Sequence, residues 1–123
     1  MYLVGAEHPN KTLAATVLQR LAIQGERLVT DAEVFQEILH RYSAIRRTEA
    51  IQPAFDVLHN VVDEVLAIDL ACVEGAKSLL LAYSGLSSRD AIHIATMKGR
   101  GISSIVSFDS GFDAVSGLNR LFA

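Results

Sequence analysis

The sequence is short of the residue types on which many sites are built. Its 123 residues include one cysteine, Cys72, two prolines and no tryptophan. A lone cysteine excludes an internal disulfide framework and fits a reducing compartment. No CxxC, zinc-finger or HExxH spacing occurs, which argues against a structural zinc site. Glycine-rich phosphate loops are missing, and no Ser–His–Asp spacing stands out. Cys72 falls in an apolar helical pattern, the setting of an inert packed thiol. No apolar run approaches the roughly 18 to 20 residues of a membrane span. The opening MYLVGAEHPNK has no basic leader region, so a secretory signal is not expected and a cytoplasmic location is.

Positive charge is also scarce. Eleven Lys and Arg stand against fourteen Asp and Glu, a net charge of −3. A general nucleic-acid coat protein would be strongly basic. An enzyme that grips nucleic acid locally remains compatible, because a carboxylate-built metal site makes the total more acidic. Basic residues gather at Arg41–Arg46–Arg47 and at Arg89–Lys98–Arg100, where solvated helix faces are the plainer explanation.

Half of the residues are apolar and a fifth are charged. One domain spanning residues 1–123 with a single core is expected. Helical periodicity runs from Pro9 to about Gln24, with Gly25 placed to cap its end. A short strand is predicted over Arg27 to Val29. Thr30-Asp-Ala-Glu33 reads as a capping box, with Thr30 as N-cap of a helix that runs to about Arg46. Further helices are predicted over Glu49 to Asn60, Leu70 to Tyr83 and Ser88 to Met97. The inward residues expected of the second of these are Val73, Ala76, Leu80 and Tyr83. Strands are predicted over Val65 to Ile68 and Ile102 to Phe108, and the tail SGLNRLFA suggests an edge strand. Strands alternating with helices define an α/β fold, a parallel sheet covered on both faces.

Ligands in such sheets bind beyond the carboxyl ends of the strands. Asp109 is placed there, directly after the Ile102–Phe108 strand, and Asp113 follows four residues later. A turn-forming or capping role explains either one equally well. Asp90 completes a second capping box, Ser87-Ser-Arg-Asp90, yet shares a helical face with Ile94 and Met97, where a buried carboxylate needs a partner. Glu37 sits at the edge of an apolar stripe, four residues before Arg41, and an exposed ion pair would account for it. His93 lies one turn from Asp90, within reach of a hydrogen bond to it; His40 reads as solvent-facing.

Taken together, TDAEVFQEILHRY (Thr30–Tyr42), LSSRDAIHIATM (Leu86–Met97) and IVSFDSGFDAVSGL (Ile105–Leu118) resemble a PIN domain of the VapC type, the ribonuclease toxin of VapBC toxin–antitoxin modules. The resemblance covers essentially the whole chain, and the order and spacing of the motifs make it more specific than any one of them. It implies a three-layer α/β/α sandwich around a central parallel sheet, and Mg²⁺- or Mn²⁺-dependent endonucleolytic cleavage of RNA. By motif position it makes Glu37, Asp90 and Asp109 metal ligands, with Asp113 as an additional acid. It further implies a small antitoxin, with the helix pair around Thr30 to Asn60 as the expected contact, and a homodimer.

One departure stands out. The family opens on a strand ending in an Asp that runs into the first helix. Here Met1-Tyr-Leu-Val resembles the middle of that helix, no upstream acid exists, and Glu7 does not match the position. A start assigned too far downstream is the expectation. A domain truly lacking the strand would carry a slot at the middle of its sheet, with unpaired ladder groups on both sides. The departure keeps a second reading open, a catalytically impaired PIN-fold module that binds its antitoxin or itself. A phospho-accepting receiver domain is disfavoured, because no lysine follows Lys98.

Overall fold

The computed structural model describes residues 1–4, 20–21, 23–107 and 110–121. Most of the helix expected over Pro9 to Gln24, together with Phe108 and Asp109, lies outside them. The end of that helix is described. The Glu26 amide donates to Leu21 O at 2.9 Å around Gly25, whose φ of 73° is the left-handed cap that glycine tolerates.

Five parallel strands form one sheet in the order β3–β2–β1–β4–β5: β1 Tyr2–Leu3, β2 Val29–Asp31, β3 Glu64–Leu66, β4 Ser104–Val106 and β5 Asn119–Leu121. Four α-helices are described: α1 Ala32–Ala44, α2 Ile51–Val61, α3 Leu70–Ala82 and α4 Ser88–Gly99. Helices α1 and α2 fall between β2 and β3, and α3 and α4 between β3 and β4. Right-handed crossovers then place the two pairs on opposite faces, giving the α/β/α layering. The order grows outward from β1 in both directions, so the switch point lies between β1 and β4.

The middle of the sheet is therefore occupied, contrary to the slot that the opening residues suggested. Tyr2 pairs with Val29 on one side and Ile105 on the other. Its neighbours Leu3 and Val4 are buried with it. Three successive apolar residues suit a strand buried on both faces. Two further bonds fasten it: the Val29 amide donates to Met1 O at 2.7 Å and the Thr30 hydroxyl to Leu3 O at 2.7 Å.

That last bond corrects the reading of the first capping box. Thr30 belongs to β2, held extended by strands on both sides, and Asp31 is the N-cap, accepting from the Val34 amide at 3.1 Å. Glu33 is then the second helical residue, not the third. The other boundaries shift for similar local reasons. A 3₁₀ turn, Thr48–Ala50, precedes α2. Strand β3 ends at Leu66 because Asp69 caps α3 by accepting from the Cys72 amide. Asn119–Leu121 pair with β4 as an edge strand, as expected.

The core joins the strands to Val34, Phe35 and Ile38 of α1, Leu58 of α2, and Ile94 and Met97 of α4. Phe35 stacks edge-on against Phe55 at 4.9 Å, tying α1 to α2. Helix α3 departs from expectation. Ala76 is buried, but Val73 and Leu80, expected inward, are 45% and 38% exposed.

Candidate active site

Beyond the carboxyl end of β2 lies a buried chain of polar groups. Asp31 is wholly buried. One of its oxygens, Oδ1, caps α1, and the other, Oδ2, accepts from the Tyr2 hydroxyl and from His93 Nδ1 at 2.7 Å. His93 is 2% exposed and donates its second nitrogen, Nε2, to Glu37 Oε1 at 2.9 Å. The imidazole thus bridges a sealed carboxylate to one that reaches solvent, Glu37 having a side chain 26% exposed. Both ring nitrogens can donate at once only in the protonated form. Among the described residues no buried side-chain polar atom lacks a partner.

Burial alone would depress the His93 pKa. The hydrogen bonds and negative charges of Asp31 and Glu37 outweigh it and lift it to about 9. For Tyr2, burial first and the Asp31 charge second push the phenol well above its usual range. Glu33, one turn before Glu37, is raised by partial burial and then by the Glu37 charge, with His93 and Arg89 opposing. Asp31, Glu33, Glu37, His93 and the Arg89 guanidinium therefore share a field between α1 and the start of α4.

The residues singled out in the sequence divide within this frame. Glu37 and Asp90 stand on neighbouring helices, Glu37 bonded to His93 and Asp90 one turn before His93 on α4. Asp90 is half-buried in the first turn of α4, whose N-cap is Ser87, as its capping box indicated. Asp113 lies in a 3₁₀ turn, Ser110–Ala114, 55% exposed and gripped by both ends of the Arg120 guanidinium at 2.7 and 2.9 Å. Arg120 holds its carboxyl below the usual range. Asp109 is outside the described residues. His93 does not serve Asp90 as the sequence suggested; its two nitrogens go to Asp31 and Glu37.

Sequence reasoning missed Asp31 and Tyr2. Asp31 was hidden inside a capping motif that explained it too well. The signal that could have found it is the one that drew attention to Asp109, an acid directly after an apolar strand. The two arginine groups prove dispersed. Arg47 pairs with Glu49 at 2.5 Å, Arg100 bonds Glu64 at 3.1 Å, and Lys98 reaches Ser116 O, whereas Arg89 is exposed beside the acids.

In kind, the donors at this end of the sheet fit a hard divalent cation. Glu37 commits one oxygen to His93 and keeps the other, and Asp90 adds a second carboxylate. Mg²⁺ is commonly held by one or two carboxylates plus waters and substrate phosphates. Among the described residues no group of three His, Cys, Asp or Glu converges on one point, and Asp109, the third acid singled out in the sequence, lies outside them.

Doubly wound order, a buried acid at the carboxyl end of β2 and a helix-borne glutamate together define a class of fold, and the comparisons name it. The chain belongs to the PIN-domain family, whose model matches residues 1–118. Within that family it is most usefully compared with VapC ribonucleases. VapC13 of Mycobacterium tuberculosis and a VapC ribonuclease of Mycobacterium bovis are each 58% identical to it over 121 residues, 98% of this chain and 92% of theirs. VapC23 of Mycobacterium tuberculosis is 33% identical over 109 residues. Among solved structures, Mycobacterium tuberculosis VapC20, described as a sarcin–ricin loop cleaving toxin, shares the fold with a TM-score of 0.72 at 21% identity, over 94% of both chains. VapBC2 of Rickettsia felis, bound to a fragment of its promoter DNA, superposes with a TM-score of 0.74 at 15% identity, over 98% of this chain and 96% of that one.

Proposed function

We propose that this chain is a metal-dependent endoribonuclease, the toxin of a cytoplasmic toxin–antitoxin pair, with Mg²⁺ or Mn²⁺ held by Glu37, Asp90 and Asp109. The observation that carries the reading is the bond between His93 and Glu37. It turns a helix-borne carboxylate toward the end of the sheet where Asp90 stands, in a chain 58% identical to VapC ribonucleases. A cation bound there would supply Lewis-acid stabilisation of the scissile phosphate and an activated water. The protein's own groups do the rest. His93 fixes Glu37 in one rotamer, Asp31, itself held by the Tyr2 hydroxyl, fixes His93, and Arg89 offers an exposed guanidinium to an RNA phosphate. Asp113 would join the ligands only by giving up Arg120.

RNA cleavage with added Mg²⁺ tests the proposal. Wild type should cut and EDTA should stop it. Asp90→Asn and Glu37→Gln should each lose at least about a hundredfold in rate, a loss of the size seen when a metal site is disturbed. Asp113→Asn should keep more activity than either. Cleavage by Asp90→Asn at the wild-type rate would sink the ligand assignment.

The antitoxin contact is proposed on α1 and α2, where Leu39, Ile45 and Val57 expose apolar side chains. Self-association is part of the same proposal. The alternative, an impaired module that only binds, draws support from β1, which is followed by Val4 and not by the aspartate the family carries there. Tight antitoxin binding with no cleavage under any divalent cation would favour it.

A further inference from the structure

Arg120 stands on the edge strand β5, level with Ile105 of β4. Long charged side chains at a sheet edge ordinarily carry their heads into water. That of Arg120 is only 13% exposed and reaches along the sheet past the end of β4. Its Nη1 donates to Ser107 O at 3.2 Å, while Nε and Nη2 together hold the Asp113 carboxylate at 2.7 and 2.9 Å. One rigid plane thus joins the first residue past β4 to the 3₁₀ turn six residues later. A lysine could not span both points in this way, because its donors radiate from a single nitrogen.

Exposed ion pairs are weak and screened by salt. A bidentate pair made by a largely buried guanidinium fixes geometry as well. Neither of the joined elements needs the link for its own place. Strand β5 is held by its ladder to β4 and by the Asn119 amide, which donates to Ser103 O at 2.8 Å. The turn is anchored in the core by Phe112 and Val115, each 2% exposed. What the guanidinium adds is a fixed separation between Ser107 and Asp113. Asp109 falls between them in the chain, two residues after one and four before the other.

We propose that Arg120 is a positioning residue for the metal site, closing the segment from Ser107 to Asp113 at both ends and so restricting where Asp109 is presented. Asp113 is then the anchor of that latch and not a ligand. The inference rests on the metal reading above and adds to it a residue outside the acidic set. A short segment tied at both ends has little conformational freedom left to lose when its acid binds a cation.

The two roles open to Asp113 differ in sign. If Asp113 were a ligand in waiting, Arg120 would compete with the cation for it, and loss of Arg120 would tighten metal binding. If Arg120 positions the segment, its loss must weaken binding.

Mn²⁺ titrated into the whole chain without RNA, followed by calorimetry, reads this apart from cleavage, and urea midpoints report the fold. Arg120→Gln should bind Mn²⁺ about tenfold more weakly than wild type, the lower end of the loss caused by disturbing the groups that support metal ligands. Arg120→Lys should fall between the two. Asp113→Asn should also lose affinity, and combining it with Arg120→Gln should add nothing, because both changes break one latch. Arg100→Gln removes an arginine bonded to Glu64 at the opposite end of the sheet and should change nothing.

Tighter binding by Arg120→Gln would overturn the inference and make Asp113 a ligand. Unchanged affinity in a folded Arg120→Gln would overturn it too, as would an equal loss in Arg100→Gln or additive losses in the double variant. Should Arg120→Gln fail to fold, Arg120→Lys carries the same signs, and wild-type affinity in it would refute the latch. These results leave the metal reading standing. A wild type that takes up no Mn²⁺ would overturn that reading, and this inference with it.

Discussion

His93 concentrates the physics of the site in one residue. Its folded pKa of about 9 lies above the ordinary value of 6.5, so between those values the native state holds a proton that the unfolded chain does not. Stability must then fall as pH rises. The contribution is complete below pH 6.5 and gone above pH 9, and at 1.36 kcal/mol per unit it amounts to about 3 kcal/mol. Urea unfolding in EDTA, followed by circular dichroism at intervals from pH 6 to pH 9.5, should show that decline. A flat profile would mean that the bridge is not ionic. His93→Phe removes the bridge and leaves Asp31 a buried charge with the Tyr2 hydroxyl and one amide. Breaking a buried pair in this way should cost about 3 to 5 kcal/mol, at pH 7 far more than at pH 9.5. His93→Gln, which can still donate to one carboxylate, should cost less.

The sequence announced some of these residues and concealed others. Glu37 and Asp90 drew attention because family motifs carry them. Asp31 did not, since a capping box accounts for an Asp after a Thr without any tertiary contact. Only the sixty-two-residue reach of His93 to Asp31 reveals its second role. A pairing of that separation has no local signature, and neither does the Arg120 grip that draws Asp113 aside.

Elements were easier to read than their ends. Helices α1 and α4 and strands β4 and β5 follow from periodicity and caps, and each lies within a few residues of its predicted span. Strand β1 escaped because two residues carry no period. What makes Tyr2–Leu3 a strand is the presence of β2 and β4 on either side. Helix α3 misled for the opposite reason: with apolar residues on every face, its pattern does not say which face is inward. Gly75 settles the matter by its contact. Gly75→Ala should be nearly neutral, because the gain in helix propensity of up to about 1 kcal/mol is offset by the tight approach to Ala95. Gly75→Leu has no such space and should cost about 1 to 3 kcal/mol by prising α3 from α4. Urea midpoints of the two variants measure this, and equal midpoints would contradict the packing.

At the scale of the molecule, the strand order explains why a site was legible before its members were. Growth of the sheet outward from β1 leaves a crevice beyond β1 and β4, next to the carboxyl end of β2 where Asp31 stands. Among the described residues two surfaces remain apolar outside that crevice, one on α1 and α2 and one on α3, and they lie on opposite faces of the sheet. Self-association, as proposed, would add to stability by mass action, because a dimer dissociates as it unfolds. The thermal midpoint of wild type should then rise with protein concentration, each tenfold increase being worth at most about 1.4 kcal/mol per dimer. A midpoint that does not move with concentration would refute self-association and leave these apolar faces to another partner or to water.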